Sequence, residues 1–328
     1  MRKIKINFVD FWKEFDSYNN DILNVLKKYY EIEISNEPDY IFFSCFGLEF
    51  TKYNCVRIFV TGENIRPDFN VCDYAMGFDY MEFGDRYIRF PMLGFWYNRD
   101  SWFKDASNKH IFEDSILKTK PFFCNFIYSN GDTEVPREMF FNLLSEYKRV
   151  DSLGRFLNNA GKQLGPAEVD KIEQQRKYKF SIAFENSSMP GYSTEKILEA
   201  FAAQTIPIYY GDPTIGEMYN NEAFINCHKY SSWEQVLKRV KEVNENDELY
   251  LQILRQPINV GNHITTIYDM EQFLIHIFEQ DVRAAYRRGE FRWAKRCEYI
   301  YESVYLAETR TIRTRALLWF RRIFKGRK

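Results

Sequence analysis

Residues 177–213 read KYKFSIAFENSSMPGYSTEKILEAFAAQTIPIYYGDP. Phe180 to Phe184 is a short, bulky run that suits a half-buried strand. Glu185 to Gly191 is polar and closes on Pro190-Gly191, a turn signal. Ser193 and Thr194 can cap the helix that follows, in which Ile197, Ala200, Phe201 and Gln204 fall at helical spacing. Ile206 to Tyr210 is a second apolar run, stopped by Gly211-Asp212-Pro213. Strand, loop, helix, strand is the βαβ crossover of a parallel sheet. Pro207 cannot donate to a ladder, which places it at the strand's start or at a distortion.

A loop entering a helix offers free backbone N–H groups and a positive dipole end, a natural anion site. Lys196 lies in that first turn, where the dipole prefers acids. Either an anionic ligand removes the conflict, or Lys196 is solvated beside Glu199. Val135 to Tyr147 repeats the anomaly. Phe140, Leu143, Leu144 and Tyr147 share one side of this expected helix, Pro136 suits its start, and Arg137 is again a cation in the first turn. One diphosphate held between Arg137 and Lys196 would account for both, and the planar fork of arginine suits that task. The alternative for Arg137 is plain surface placement.

Upstream, Lys3–Phe8, Ile32–Ile34, Tyr40–Phe43, Val56–Val60, Tyr74–Phe78 and Tyr87–Phe90 read as strands, with a helix over Asp21–Tyr29. Val56–Val60 ends at Thr61-Gly62-Glu63-Asn64. Open α/β sheets bind ligands beyond the carboxyl ends of their strands, so Glu63 stands where a working carboxylate would, or is a solvated turn residue. Lys120-Pro121 reads as a domain junction. Beyond it, Phe122–Tyr128 and Phe224–Asn226 read as strands. Glu168–Lys179, Ser232–Val243, Asp247–Arg255 and Met270–Phe278 read as helices. Residues 94–120, with Trp96, Tyr97, Trp102 and Phe103, are an irregular insert that either lines a binding site or is a surface loop anchored by its aromatics.

Net charge is −1, yet Arg310–Lys328 holds eight Lys and Arg and no acid. The remaining body is therefore acidic, which argues against nucleic-acid binding. Thr311–Lys328 sets Ile312, Trp319, Phe320, Ile323 and Phe324 on one side among basic residues, the mark of an interfacial helix on an anionic membrane. Its alternative is a helix packed on the body. No run of about 18 or more apolar residues and no signal peptide are seen. The expectation is a cytoplasmic protein, peripheral on the inner membrane face through its tail. The six cysteines form no C-x-x-C pair and read as reduced, mostly buried thiols. The four histidines are scattered without metal-ligand spacing, and no Asp-x-Asp occurs.

The FEN triplet with GYSTEKILEAF and IPIYYGDP resembles the donor-binding motif of the family-10 α-1,3-fucosyltransferases, the bacterial Lewis-antigen enzymes in particular. VRIFVTGENIRPDFNVCDYAMGFDY followed by DRYIRFP, over Val56–Pro91, resembles the N-terminal domain of that family. CNFIYSN with Pro136-Arg137 is a weaker third block. The resemblance implies a GT-B fold, two Rossmann-like α/β domains facing a cleft. Residues 1–119 are expected to bind the acceptor and 120–308 the GDP-sugar donor, with 309–328 as the basic amphipathic tail. It implies an inverting transferase that moves L-fucose from GDP-β-L-fucose to O3 of N-acetylglucosamine in N-acetyllactosamine-type glycans. Glu63 is then the general base. Arg137, Asn186, Tyr192, Glu195 and Lys196 are the donor contacts, with Glu185 either joining them or only holding the loop. No metal is required, although a divalent ion could stimulate the reaction. A different GDP-sugar, a different acceptor or O4 linkage, and a non-catalytic binder on the same fold, are the other readings. Oligomeric state is left open.

Overall fold

The computed structural model describes residues 1–91, 106, 112–161, 163–164, 170–259 and 267–310. The basic tail and most of the aromatic insert lie outside the described residues.

The chain divides into two compact units. The first holds a six-stranded, all-parallel sheet of order β2-β1-β3-β4-β5-β6, with β1 Lys3–Val9, β2 Glu31–Ile34, β3 Tyr40–Phe43, β4 Val56–Val60, β5 Tyr74–Gly77 and β6 Tyr87–Arg89. β3 shows why such strands read as unbroken apolar runs: both of its faces are covered. Tyr40 and Phe42 turn to one side, where Phe278 stacks on Tyr40 at 4.3 Å. Ile41 and Phe43 turn to the other, into a core with Phe50, Phe59 and Cys72. Cys297 and Tyr301 close that second face.

Both covering helices, Ile267–Phe278 and Trp293–Arg310, come from the end of the chain. Residues expected within a 120–308 domain thus belong to the N-terminal unit, and the expected boundaries at 120 and 309 are not those of the structure. The reason lies in one buried cluster. Asp73 accepts hydrogen bonds from the backbone N–H of Arg57, Arg287 and Arg288 and pairs with the buried guanidinium of Arg288. Arg288 also donates to the carbonyl of Cys55 at 3.0 Å and to Glu298 at 3.1 Å.

The second unit holds a five-stranded parallel sheet of order β11-β10-β9-β7-β8, with β7 Phe122–Phe126, β8 Val150–Ser152, β9 Tyr178–Phe184, β10 Ile206–Tyr210 and β11 Ile225–Asn226. Along β9, Phe180, Ile182 and Phe184 enter a core with Phe140, Leu144, Val236 and Tyr250. Ala183 faces the opposite core of Ile197, Phe201, Tyr209 and Phe224. The helix Glu195–Ala202 crosses from β9 to β10 as the spacing requires. Pro207 is second in β10, opposite Ser181. The outer neighbour β11 pairs only with Ile208 and Tyr209, so no strand beyond needs an N–H from Pro207. The helix expected over Glu168–Lys179 covers Asp170–Gln175 among the described residues, because the alternation that makes β9 begins at Tyr178.

Candidate active site

The carboxyl end of β9 delivers Glu185, whose N–H extends the ladder to the carbonyl of Tyr210 at 2.8 Å. Its side chain lies against Gly211, where a Cβ would come within 2.4 Å of Glu185 Cγ. Thr194 stands at the N-cap position of Glu195–Ala202, but its hydroxyl makes no capping bond to the helix. It donates instead to Glu185 Oε2 at 2.6 Å, while the Thr194 N–H donates to Glu185 Oε1 at 2.8 Å. The expected Ser/Thr cap is therefore not made, because a wholly buried glutamate from the preceding strand draws the Thr194 hydroxyl away. Burial raises the pKa of Glu185. The intervening loop is pinned at Gly191, at φ +81°, whose N–H donates to Asp212 Oδ1 at 2.9 Å.

Lys196 is satisfied by the chain itself. Its Nζ reaches Thr194 Oγ1 at 2.8 Å, Glu185 at 3.1 Å and Glu195 at 3.2 Å. Burial alone would lower its pKa, but the two carboxylates outweigh burial and hold it raised. Glu195 feels the converse: burial pushes its pKa up, yet Lys196 and then Lys171 bring it down to about 2. The sequence conflict at Lys196 is thus resolved by internal acids. Glu199, taken as its neighbour, instead pairs with Lys171 at 2.5 Å.

Arg137 is different. It opens the helix Arg137–Tyr147 and is 2% exposed. Its guanidinium lies 4.0 Å over the Tyr128 ring and donates to the carbonyls of Phe184 at 2.7 Å and Asn130 at 3.3 Å, and to Asn186 Oδ1 at 2.8 Å. Among the described residues no carboxylate pairs with it, and its Nε is buried without an acceptor. A buried cation without a counter-charge is strongly unfavourable on its own.

Arg137, Asn186, Glu195 and Lys196 line one open pocket of about 170 Å³ in the second unit. Tyr192 does not line it: its ring is 1% exposed and edge-on to Phe78 at 5.1 Å. Among the further lining residues, the sequence did not single out Tyr128, Lys171 or Gln175 for the site, and offered Glu199 only as a neighbour of Lys196. A faint signal existed for Glu199, one helical turn beyond Glu195 and therefore on the same face. Lys171 and Gln175 belong to a charged helix with nothing in its pattern to single them out.

Glu63 belongs to the first unit and follows β4 as expected. Its N–H donates to Thr61 Oγ1 at 3.0 Å. Its side chain is half-buried, and among the described residues its carboxylate enters no hydrogen bond or ion pair. Among the described residues no three His, Cys, Asp or Glu side chains are grouped to hold a metal.

A family model for the alpha-(1,3)-fucosyltransferase FucT N-terminal domain matches residues 6–96, and one for glycosyltransferase family 10 (fucosyltransferase), C-terminal part, matches residues 117–268. An alpha-(1,3)-fucosyltransferase of Helicobacter pylori is 29% identical over 297 residues, 78% of this chain and 60% of that protein. A putative fucosyltransferase of Acanthamoeba polyphaga mimivirus is 34% identical over 161 residues, 47% of this chain and 26% of that protein. The chain thus spans less than two thirds of either relative. A crystal structure of an alpha1,3-fucosyltransferase with GDP-fucose is similar at a TM-score of 0.71 and 25% identity, covering 88% of this chain and 94% of that one. Another with GDP is similar at 0.71 and 26%, covering 88% and 93%. Two parallel α/β units of GT-B type, carrying the two halves of one family signature in order, make this chain a member of glycosyltransferase family 10, the fucosyltransferases.

Proposed function

We propose that the protein transfers L-fucose from GDP-β-L-fucose to O3 of N-acetylglucosamine in N-acetyllactosamine-type acceptors, with inversion. The observation that carries the donor half is Arg137, a buried guanidinium with no carboxylate partner among the described residues, on the wall of a pocket shared with Lys196. A diphosphate supplies the missing counter-charge. Related fucosyltransferases have been solved with GDP-fucose and with GDP.

In this reading Glu63 takes the proton from the acceptor O3 as that oxygen bonds to the fucose anomeric carbon. The bond from that carbon to the diphosphate breaks in the same displacement, and its electron pair leaves on the β-phosphate oxygen. Arg137 and Lys196 stabilise the growing charge there, with Asn186 holding the guanidinium. Glu195, ionised in the ordinary pH range, accepts from the sugar hydroxyls of the donor. Tyr192 acts from behind the pocket by supporting the loop. A divalent ion is a stimulant at most.

Incubation with GDP-fucose and N-acetyllactosamine in the presence of chelator, read by mass spectrometry with linkage analysis, tests this. A trisaccharide linked at O3 is expected. GDP-induced stabilisation without product, or an O4 linkage, would replace the acceptor assignment with a different acceptor or GDP-sugar. The tail places the enzyme on the inner face of an anionic membrane. Removing residues 309–328 should release it from anionic vesicles, and unchanged binding would refute that placement.

A further inference from the structure

The carboxyl rim of the first sheet carries a feature that the mechanism above leaves unused. The chain leaves β1 through Asp10 at φ +60°, a left-handed conformation uncommon for any residue but glycine. Such strain persists only where the surroundings over-determine it. Here they do. Asp10 Oδ1 accepts from the Glu49 N–H and Oδ2 from the Phe50 N–H, each at 2.8 Å, while the Asp10 carbonyl accepts from the Phe46 N–H at 3.0 Å. One residue thereby fastens the segment after β1 to the segment after β3. Gly47 lies at the crossing, where a Cβ would come within 2.3 Å of Asp10 Oδ1.

The clamp holds aromatic rings together. Phe11 stacks on Phe15 at 4.0 Å, and Trp12 stands edge-on to Phe15 at 5.2 Å and to Phe46 at 6.3 Å. Phe46 is 52% exposed, and Phe11, Trp12 and Phe15 are half-buried. This shelf sits on the same rim as Glu63. Cys45, next to Phe46, has its Sγ 3.8 Å from Thr61 Oγ1, the atom that also accepts the Glu63 N–H.

We propose that Phe46, held in place by Trp12, forms the surface on which the acceptor sugar ring stacks, and that Asp10 is a positioning residue for it. The apolar C–H face of a pyranose covers an aromatic ring while its hydroxyls stay free for hydrogen bonds. A ring seated there has its hydroxyls on the rim that carries Glu63. The inference rests on the reading of Glu63 as the base, and commits to an N-acetylglucosamine-containing saccharide as occupant.

The test uses the full chain and two readouts: the acceptor KM against kcat in fucosyl transfer, and saturation-transfer NMR of N-acetyllactosamine without donor. In Trp12→Ala and Phe46→Ala the acceptor KM should rise about ten-fold and the NMR signal should fall, while the melting shift given by GDP stays at its wild-type size. Trp12→Phe should restore most of the loss. Asp10→Ala should act like the aromatic variants, and Asp10→Asn, which tolerates the left-handed conformation but can accept from only one of the Glu49 and Phe50 N–H groups, should recover only part of the loss. An acceptor KM and NMR signal within about two-fold of wild type in both aromatic variants, with transfer intact, overturns the shelf and leaves the proposed function standing. No transfer and no GDP shift, with saccharide binding lost in the variants, overturns the function and keeps the shelf.

Discussion

Arg137 and Lys196 posed the same question in the sequence, a cation at a helix start, and received opposite answers. The dipole argument is local, and the acid that settles Lys196 arrives from Glu185, at the end of another strand. Nothing within a helical turn of Lys196 announces a wholly buried glutamate there. Arg137 keeps its unpaired Nε, and its variants should separate ligand binding from folding. Arg137→Met should weaken GDP binding by about ten-fold or more, measured by calorimetry, with the far-ultraviolet circular dichroism unchanged. Loss of the fold instead would make Arg137 a structural residue. Glu63→Gln keeps the shape of the loop and removes the base. It should lower kcat by about a hundred-fold or more while leaving the GDP affinity intact, and a kcat near wild type would move the base elsewhere.

At the scale of elements, the strands were the most legible part. A parallel sheet covered on both faces demands continuous apolar segments, and Tyr40–Phe43, Val56–Val60 and Ile206–Tyr210 have the expected bounds. Helix ends were less legible, because a capping side chain can be drawn off by a group from elsewhere, as Glu185 does with Thr194. Lys120 belongs at this scale, since it joins two elements. It is 4% exposed, and its Nζ donates to the carbonyls of Arg176 at 2.9 Å and Tyr178 at 3.3 Å, tying the end of Asp170–Gln175 to the start of β9. Burial lowers its pKa from 10.5 to about 7. The folded state therefore releases this proton near pH 7, whereas the unfolded chain holds it until about pH 10.5. Between those values the unfolded state binds more protons, so the contribution to stability rises with pH. Melting curves of wild type and Lys120→Met should converge as pH climbs from 7 to 10, with the variant ahead at the lower end. A constant difference would show that Lys120 does not titrate there.

At the scale of the whole molecule, the sequence resolved two α/β units but assigned the last helices to the wrong one. Apolar periodicity says that Met270–Phe278 must be covered, not by which sheet. The decision rests on Asp73 and Arg288, far apart in the chain and both fully buried. Arg288→Ala would leave the Asp73 carboxylate buried without its partner, a loss of about 3–5 kcal/mol. It should lower the melting temperature of the first unit, and hydrogen exchange should show faster opening of β4 and β5 than of β9 and β10. Uniform loss across both sheets would place the effect elsewhere.

The return of the chain to its first sheet also orders events in time. The second unit is essentially one continuous stretch, whereas the first needs Ile267–Phe278 and Trp293–Arg310 to cover its two faces. On the ribosome the usual succession, N-terminal domain first, is thus reversed. The pocket that holds Arg137 and Lys196 can be assembled while β1 to β6 still wait for their covering helices. Nascent chains stopped near residue 264 should already resist protease across β7 to β11 and remain open to it from β1 to β6, so a lesion late in the chain endangers the half that was made first.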